Sequence, residues 1–342
     1  MAADQEARLA VPDYLPGYEC EYAGDPRGAA IAWLRDKRLG LFIHYNLASL
    51  LPHGKRSYLE LVSQPQGDTL TSATELLPQF TAEHFDAGAI ADLAVSAGMG
   101  YVNLTTRHLG GLYLFRTTLS DFTSLNSPAK RDLVGEMAEA CRKRRLGLFL
   151  YVPPQVTVTT DDQIEHNHTW LRELLTQYGP VAGMWFDGIN NFYRDPERYT
   201  RLSETYAFVR ELQPQCLISF KEGATGEEDF AAPEHGSLRA FHGLPERTPK
   251  HHEPFVEIKQ AVAAKHVDVN TTLQVGRGLW HNDAAARHMT PDEVWAATSE
   301  ILGQGHNLTL NTGPQPDGSI HPQDMESLTA LGERLRRDGW TD

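Results

Sequence analysis

Cysteine is scarce in this chain. Its 342 residues hold three, Cys20, Cys141 and Cys216, which form neither a disulfide framework nor a metal-binding spacing. Basic residues are also in short supply, 31 Lys and Arg against 45 Asp and Glu, and the formal net charge of −14 would repel phosphate backbones and anionic lipid. The longest basic cluster, Arg142 to Arg145, falls within an amphipathic helical pattern, so no nucleic-acid partner is expected. No run of 18 apolar residues occurs, and the opening MAADQEARLAVPDYLPGYEC lacks a basic segment followed by an apolar one. These absences predict no membrane partner and, with so few cysteines, a cytoplasmic setting. HExxH, Walker and GxSxG sequences are missing too. The glycines of GQGHN (303–307) precede an apolar strand instead of opening a helix after one, the wrong context for a dinucleotide or phosphate loop.

What is present is 41% apolar residues, enough to bury a sizeable core, arranged as short apolar runs alternating with helical patterns. The runs are LGLFIHY (39–45), MGYVNLTT (99–106), LGLFLYV (146–152), VAGMWFD (181–187), CLISF (216–220), VNTTLQV (269–275) and NLTLNTG (307–313). Helical patterns cover 82–98, 129–145, 161–179, 195–212 and 290–305, several with Asp or Thr at the N-cap position. Apolar runs without alternation read as parallel strands covered on both faces, and the order predicts an α/β fold. The expected architecture is a single-domain (β/α)8 TIM-like barrel over residues 30–342, with residues 1–29 as an N-terminal extension packing on it.

Polar residues gather at the ends of these runs: His44, Arg107, His108, Tyr151, Asp187 and Lys221. That rim is where barrel enzymes carry their catalytic groups, although each residue alone could equally be a loop residue capping a helix. Asp187 follows Trp185 and Phe186, and aromatic neighbours suit a sugar site. A glycosidase needs a second carboxyl across the scissile bond. The next loop offers Glu222, Glu227, Glu228, Asp229 and Glu234, of which Glu234, after Ala232 and Pro233, is least like a solvated acidic loop. Glu257, opening the helical pattern VEIKQAVAAK, and Asp268, at a strand entry, compete with it. The pairs HNH (166–168) and HH (251–252) lack metal-ligand spacing, so no metal is expected.

Taken together, the segments from Trp33 to about Gly318 resemble the α-L-fucosidases of glycoside hydrolase family 29. WLRDKRLGLFIHYNLAS is similar to that family's opening strand, FTAEHFDAGAIADLAVSAGMGYVNLTTRHLGG to the helix and strand ending in Thr-Lys-His-His-Asp-Gly, and RDLVGEMAEACRKRRLGLFLYV to the helix and strand that follow. YGPVAGMWFDG resembles the nucleophile strand and GQGHNLTLNTGPQPDGSI the Gly-Gly-Asn-Leu-Leu-Leu-Asn segment. The resemblance implies a retaining exo-acting glycosidase with Asp187 as nucleophile and Glu234 as general acid/base. It implies sugar contacts from His44, His108, Trp185, Tyr151 and Trp280, and from Lys221 where the family has arginine. Tyr45 stands for the family's Trp, Arg107 precedes His108, and Glu60 matches the acidic residue of a Glu-Trp-Tyr motif. No metal or organic cofactor is implied. The partner is a small-molecule carbohydrate or glycoside, a homo-oligomer stays open, and no C-terminal β-sandwich is expected.

The departures bear on the sugar. Leu109 and Gly110 replace the second His and the Asp of the family motif, and the SWGY-like motif survives as Leu279, Trp280 and His281. Hydrogen bonds that select fucose would be missing. Hydrolysis of another glycoside (α-L-galactoside, β-D-arabinoside, a glycosylated metabolite) and a non-catalytic carbohydrate-binding barrel are the alternatives.

Overall fold

The computed structural model describes residues 10–51, 73–108, 110–153, 159–234, 250–276 and 280–340. Each of the seven apolar runs forms a strand: β1 (Leu39–Ile43), β2 (Tyr101–Thr105), β3 (Gly147–Val152), β4 (Gly183–Phe186), β5 (Leu217–Phe220), β6 (Asp268–Thr272) and, after the short β7 (Gln274–Val275) and β8 (Arg287–His288), β9 (Asn307–Thr312). They pair in parallel in the order β5-β4-β3-β2-β1-β9-β6, a curled α/β sheet consistent with a TIM-like barrel.

The run 269–275 does not stay in the sheet. The Thr272 hydroxyl captures the Gln274 N–H at 3.1 Å, and the chain turns off to pair β7 with β8 as an antiparallel ribbon. Between the sheet edges lies the stretch 229–234. Its Asp229 and Ala232 N–H groups donate to Ile218 O (2.8 Å) and Lys221 O (2.7 Å), while Asp268 and Asn270 N–H donate to Ala231 O (2.8 Å) and Pro233 O (2.9 Å). Both edges are thereby bridged, among the described residues, without an eighth regular strand.

The strands are buried on both faces, and strand alternation sorts their side chains into two cores. Leu41, Ile43, Val102, Leu104, Leu148, Leu150, Met184, Phe186, Leu308 and Leu310 face the surrounding helices. Phe42, Tyr101, Phe149, Tyr151, Trp185 and Leu217 face inward. The helices begin where Asp and Thr caps predict: Asp86 accepts from the N–H of Ala89, Asp132 from Gly135, Thr160 from Gln163 and Thr290 from Glu293. Helix α1 (Pro26–Lys37), started by the Asp25 cap, seals the end where the strands begin. Its Trp33 is fully buried against Tyr101 and Phe149. Gly147 and Gly183 make room there, since a Cβ on either would overlap the rings of Trp33 or Phe149. Among the described residues no helix is long and apolar enough to cross a membrane.

Candidate active site

The opposite end of the sheet collects the polar residues, because each follows or closes a strand. His44 continues β1 and donates its N–H to Thr312 O at 3.0 Å. His108 follows β2, Tyr151 lies in β3, Asp187 follows β4 and Lys221 follows β5. Lys221 adopts φ +50°, a left-handed conformation uncommon for a residue with a side chain, and so turns its ammonium back over the sheet end. Glu234 closes the 229–234 stretch.

Lys221 joins the two carboxylates. Its Nζ lies 3.0 Å from Asp187 Oδ1, bonds Glu234 Oε1, and sits 4.1 Å from the Trp185 ring centroid. The Tyr151 hydroxyl donates to Asp187 Oδ2 at 2.7 Å and the Gly188 N–H to Asp187 Oδ1 at 2.6 Å. Burial pushes the Asp187 carboxyl up, but the Lys221 charge and these hydrogen bonds outweigh it and hold the group below the usual Asp range. Burial also raises Glu234. There the Lys221 ammonium pulls down and the Asp187 charge pushes up, and the group ends above the usual Glu range. One site thus holds an ionised carboxylate beside a carboxyl that keeps its proton more readily.

Beside this pair stand imidazoles. His44 and His108 have ring centroids 4.9 Å apart, and His281, on the loop after β7, lies 5.0 Å from His44 and 4.7 Å from His108. Burial lowers all three, helped at His44 by His108, His281 and Lys221, at His281 by His108, and at His108 by Lys221. His108 falls to about 4 although Asp187 opposes the shift, and a main-chain hydrogen bond at His44 only partly offsets the fall of His281. Their ligand atoms lie within 4.8 Å of one another, close enough to hold an ion. A metal-binding imidazole, however, turns its lone pair inward and its N–H outward. The Asn46 Oδ1 accepts from Ala48 N–H (2.8 Å), so its Nδ2 donates to His281 Nδ1 (3.1 Å) and the proton of His281 sits on Nε2. That is the wrong form for a ligand at Nε2.

The structure brings His44, His108, Tyr151, Trp185, Asp187, Lys221 and Glu234 together, with Trp280 6.0 Å from the His44 ring. Two expected sugar contacts are not among them. Tyr45, one residue past His44, points to the opposite face of the strand, stacks on Phe85 and donates its hydroxyl to Pro316 O at 3.0 Å. Arg107, beyond the end of β2, also turns away from the cluster, donating to Gly111 O (3.1 Å) with its guanidinium over the rings of Tyr113 and Trp170. Glu60 and Leu109 lie outside the described residues. The rival carboxyls stand elsewhere. Glu257 is exposed in the first turn of the helix Val256–Lys265, and Asp268 opens β6 at the far end, bonded to Tyr101 and Thr309.

Sequence reasoning gave no role to four members: Phe42, Asn46, Asn311 and His281, the last met only as the end of a motif. Phe42 was legible, since it lies two residues before His44 on the same strand face. Asn311 stands opposite Phe42 on β9 and meets His44 directly, while Asn46 and His281 meet through the Trp280–Asn282 loop, whose backbone rests on Gly313 so closely that a Cβ there would strike it.

The model of the family described as Alpha-L-fucosidase matches residues 16–340. A rice (Oryza sativa subsp. japonica) protein named as an alpha-L-fucosidase is 26% identical over 274 residues, covering 74% of this chain and 51% of its own length. The chain therefore spans about half the length of that relative. Alpha-L-fucosidase isoenzyme 1 from Paenibacillus thiaminolyticus superposes with a TM-score of 0.72 at 26% identity, covering 92% of this chain and 77% of its own. An alpha-L-fucosidase from Bacteroides thetaiotaomicron, solved as a trapped covalent intermediate with 2-fluoro-fucosyl fluoride, gives 0.70 at 23% identity over 92% of this chain and 75% of its own.

Proposed function

This chain belongs to the alpha-L-fucosidase family of glycoside hydrolases, and from that premise we propose that it is a retaining, exo-acting α-L-fucosidase with Asp187 as nucleophile and Glu234 as acid/base. One observation carries the reading. A single ammonium nitrogen on Lys221 touches both carboxylates, so their facing oxygens are no farther apart than two hydrogen-bond lengths, within the ~5.5 Å that retention needs and short of inverting separations. The opposed shifts of the two groups match the two roles.

In the proposed reaction Asp187 attacks the anomeric carbon while Glu234 gives its proton to the departing oxygen, leaving a glycosyl ester on Asp187. Glu234, now a carboxylate, takes a proton from water, and that water attacks the same carbon and frees Asp187. Lys221 and Tyr151 steady the nucleophile's charge, Trp185 and Phe42 supply an apolar wall, and neutral His44 and His108 meet sugar hydroxyls. The Bacteroides protein's trapped covalent intermediate is a precedent on this fold. We take residues 30–342 as one domain in which 229–234 serves as the eighth stave of a (β/α)8 barrel. The segment before residue 30 packs on it through Tyr14, 4.8 Å from Trp33. The setting proposed is cytoplasmic and the partner a small-molecule glycoside.

A second reading is the same chemistry on a related sugar, favoured by Arg107 and Tyr45 facing away from the cluster and by the Leu109 and Gly110 replacements. The test for both is a set of aryl glycosides (α-L-fucoside, α-L-galactoside, β-D-arabinoside), with proton NMR of the first-formed anomer. Turnover of the α-L-fucoside with retention is expected. Net inversion would remove the nucleophile assignment, and preference for another sugar would select the second reading.

A further inference from the structure

We propose that Asn311 is a positioning residue that fixes the tautomer of His44, making its Nε2 a hydroxyl acceptor, and that the site consequently selects glycosides presenting a hydroxyl donor at that point. The substrate half of this statement rests on the glycosidase reading above. The tautomer half does not.

Asn311 is the fifth residue of β9 and is fully buried. Its amide has two neighbours of different character. Toward the active-site loop, Nδ2 donates to the Trp280 carbonyl at 3.3 Å; toward β1, Oδ1 lies 3.2 Å from His44 Nδ1. A backbone carbonyl can only accept, so the amino end of the amide must face Trp280. The oxygen end is then left facing His44, and an oxygen there requires the proton of the ring to sit on Nδ1. A neutral imidazole carries one proton, so Nε2 holds the lone pair.

His44 is neutral for a reason visible around it. The ring is buried beside Phe42 and Tyr151, the His108 and His281 rings stand within 5.0 Å of it, and the Lys221 ammonium adds positive charge. A second proton would have to be held without water and against the Lys221 charge. Without Asn311 the two tautomers of a neutral ring would differ little, and His44 would offer a donor or an acceptor according to chance. With it, a sugar hydroxyl must give its proton to Nε2. A substrate whose hydroxyl at that point is deleted or O-methylated loses the contact and leaves a buried nitrogen unpaired.

Asparagine also differs here from its two nearest alternatives. Aspartate would accept from Nδ1 equally well but would bring a negative charge that favours doubly protonated His44. Leucine would keep the volume and fix nothing. The contrast with His281 strengthens the point, because there Asn46 presents its amino end and sets the opposite tautomer.

The experiment is long-range proton–nitrogen NMR of histidine-labelled enzyme, with kinetics of Asn311→Leu and Asn311→Asp on an aryl α-L-fucoside. In the parent, His44 is expected in the Nδ1–H form from about pH 5 to 8. Asn311→Leu should show mixed tautomers and a KM raised about tenfold with kcat changed less than about threefold. Asn311→Asp should keep the Nδ1–H form at high pH and lose substrate affinity only toward acid, as His44 takes a second proton. An Nε2–H His44 in the parent overturns the proposal, as do variants that change kcat and KM by one pH-independent factor. Should Asn311→Leu not fold, the parent spectrum and Asn311→Asp decide the matter. Should no glycoside be turned over, the spectrum still tests the tautomer, so the two readings fail separately.

Discussion

The two ends of the sheet are built from the same strands and treat polar groups in opposite ways. Where the strands begin, the inside is filled by Trp33, Tyr101 and Phe149, and the charged residue there, Asp268, meets only neutral donors. The Tyr101 hydroxyl and the Thr309 hydroxyl each reach its carboxyl at 2.9 Å. Where the strands end, two carboxylates share one lysine, Tyr151 adds a further hydrogen bond, and the aromatic rings line one side instead of filling the space. Exposure differs between the ends as well. Asp268 is 4% exposed, and the Asp187 and Glu234 side chains keep 25% and 40% of their surface. What separates the ends is whether charge is neutralised in place or held ready beside an opening.

Substitutions at the two ends should accordingly divide into those that cost rate and those that cost stability. The largest effect is expected from Asp187→Ala. It should lower kcat by about 10⁴-fold or more while leaving a folded protein, and azide should restore turnover with an inverted product. Activity persisting at a tenth of the parent would mean that the strand-end carboxylate is structural. Glu234→Ala should cost ~10² to 10⁴ on substrates with poor leaving groups and little on activated aryl glycosides, whose leaving oxygen hardly needs a proton. Glu257→Ala serves as the control and should resemble the parent on both. A loss confined to poor leaving groups in the Glu257 variant would move the acid/base role there.

Much of this division could be read from the sequence. Continuous apolar runs such as LGLFIHY and LGLFLYV announce strands covered on both faces, and Asp86, Asp132, Thr160 and Thr290 announce helix starts, because both signals are local. Site residues at strand ends were legible for the same reason. Side-chain direction was legible only within a strand: Tyr45 is one residue out of phase with Phe42 and His44 and alternation sends it outward, whereas Arg107 lies past the end of β2, where alternation no longer applies and its bond to Gly111 O turns it away. Asn46 and His281 meet through a loop that packs on Gly313 after β7 leaves the sheet, and Asn311 reaches His44 from the neighbouring strand β9, contacts between residues far apart in the chain. The breadth of 229–234 was equally hidden, since DFAAPE has no strand pattern and is held by hydrogen bonds to both edges.

At the closed end, Trp33→Ala should remove about 3 to 5 kcal/mol of stability, the cost of emptying a packed aromatic position. Chemical denaturation measures it, and kcat/KM per folded molecule should stay near the parent's. A folded Trp33→Ala protein with severely reduced turnover would show that the seal and the site are coupled, and the separation of the two ends would fail.

The smallest effect expected is also the one that tests the electrostatic half of the comparison, and it concerns Asp268→Asn. Burial pushes the Asp268 carboxyl up to about 7, and the Tyr101 and Thr309 hydroxyls pull it back only in part. In the unfolded chain it would ionise near ~3.9, so between about pH 4 and pH 7 the native state binds the extra proton. Stability due to this group is then fully present below the unfolded value and is lost as pH rises through the folded one. Asparagine keeps an oxygen for the same hydroxyls and cannot titrate. Relative to the parent, Asp268→Asn should gain up to a few kcal/mol between about pH 4 and pH 8, read from denaturant midpoints at each pH. Asp187 has the contrary sign, because its lowered carboxyl contributes stability above the unfolded value that disappears as pH falls. Parallel stability curves for the parent and Asp268→Asn would mean that the carboxyl at the closed end is ionised like its counterpart at the open end.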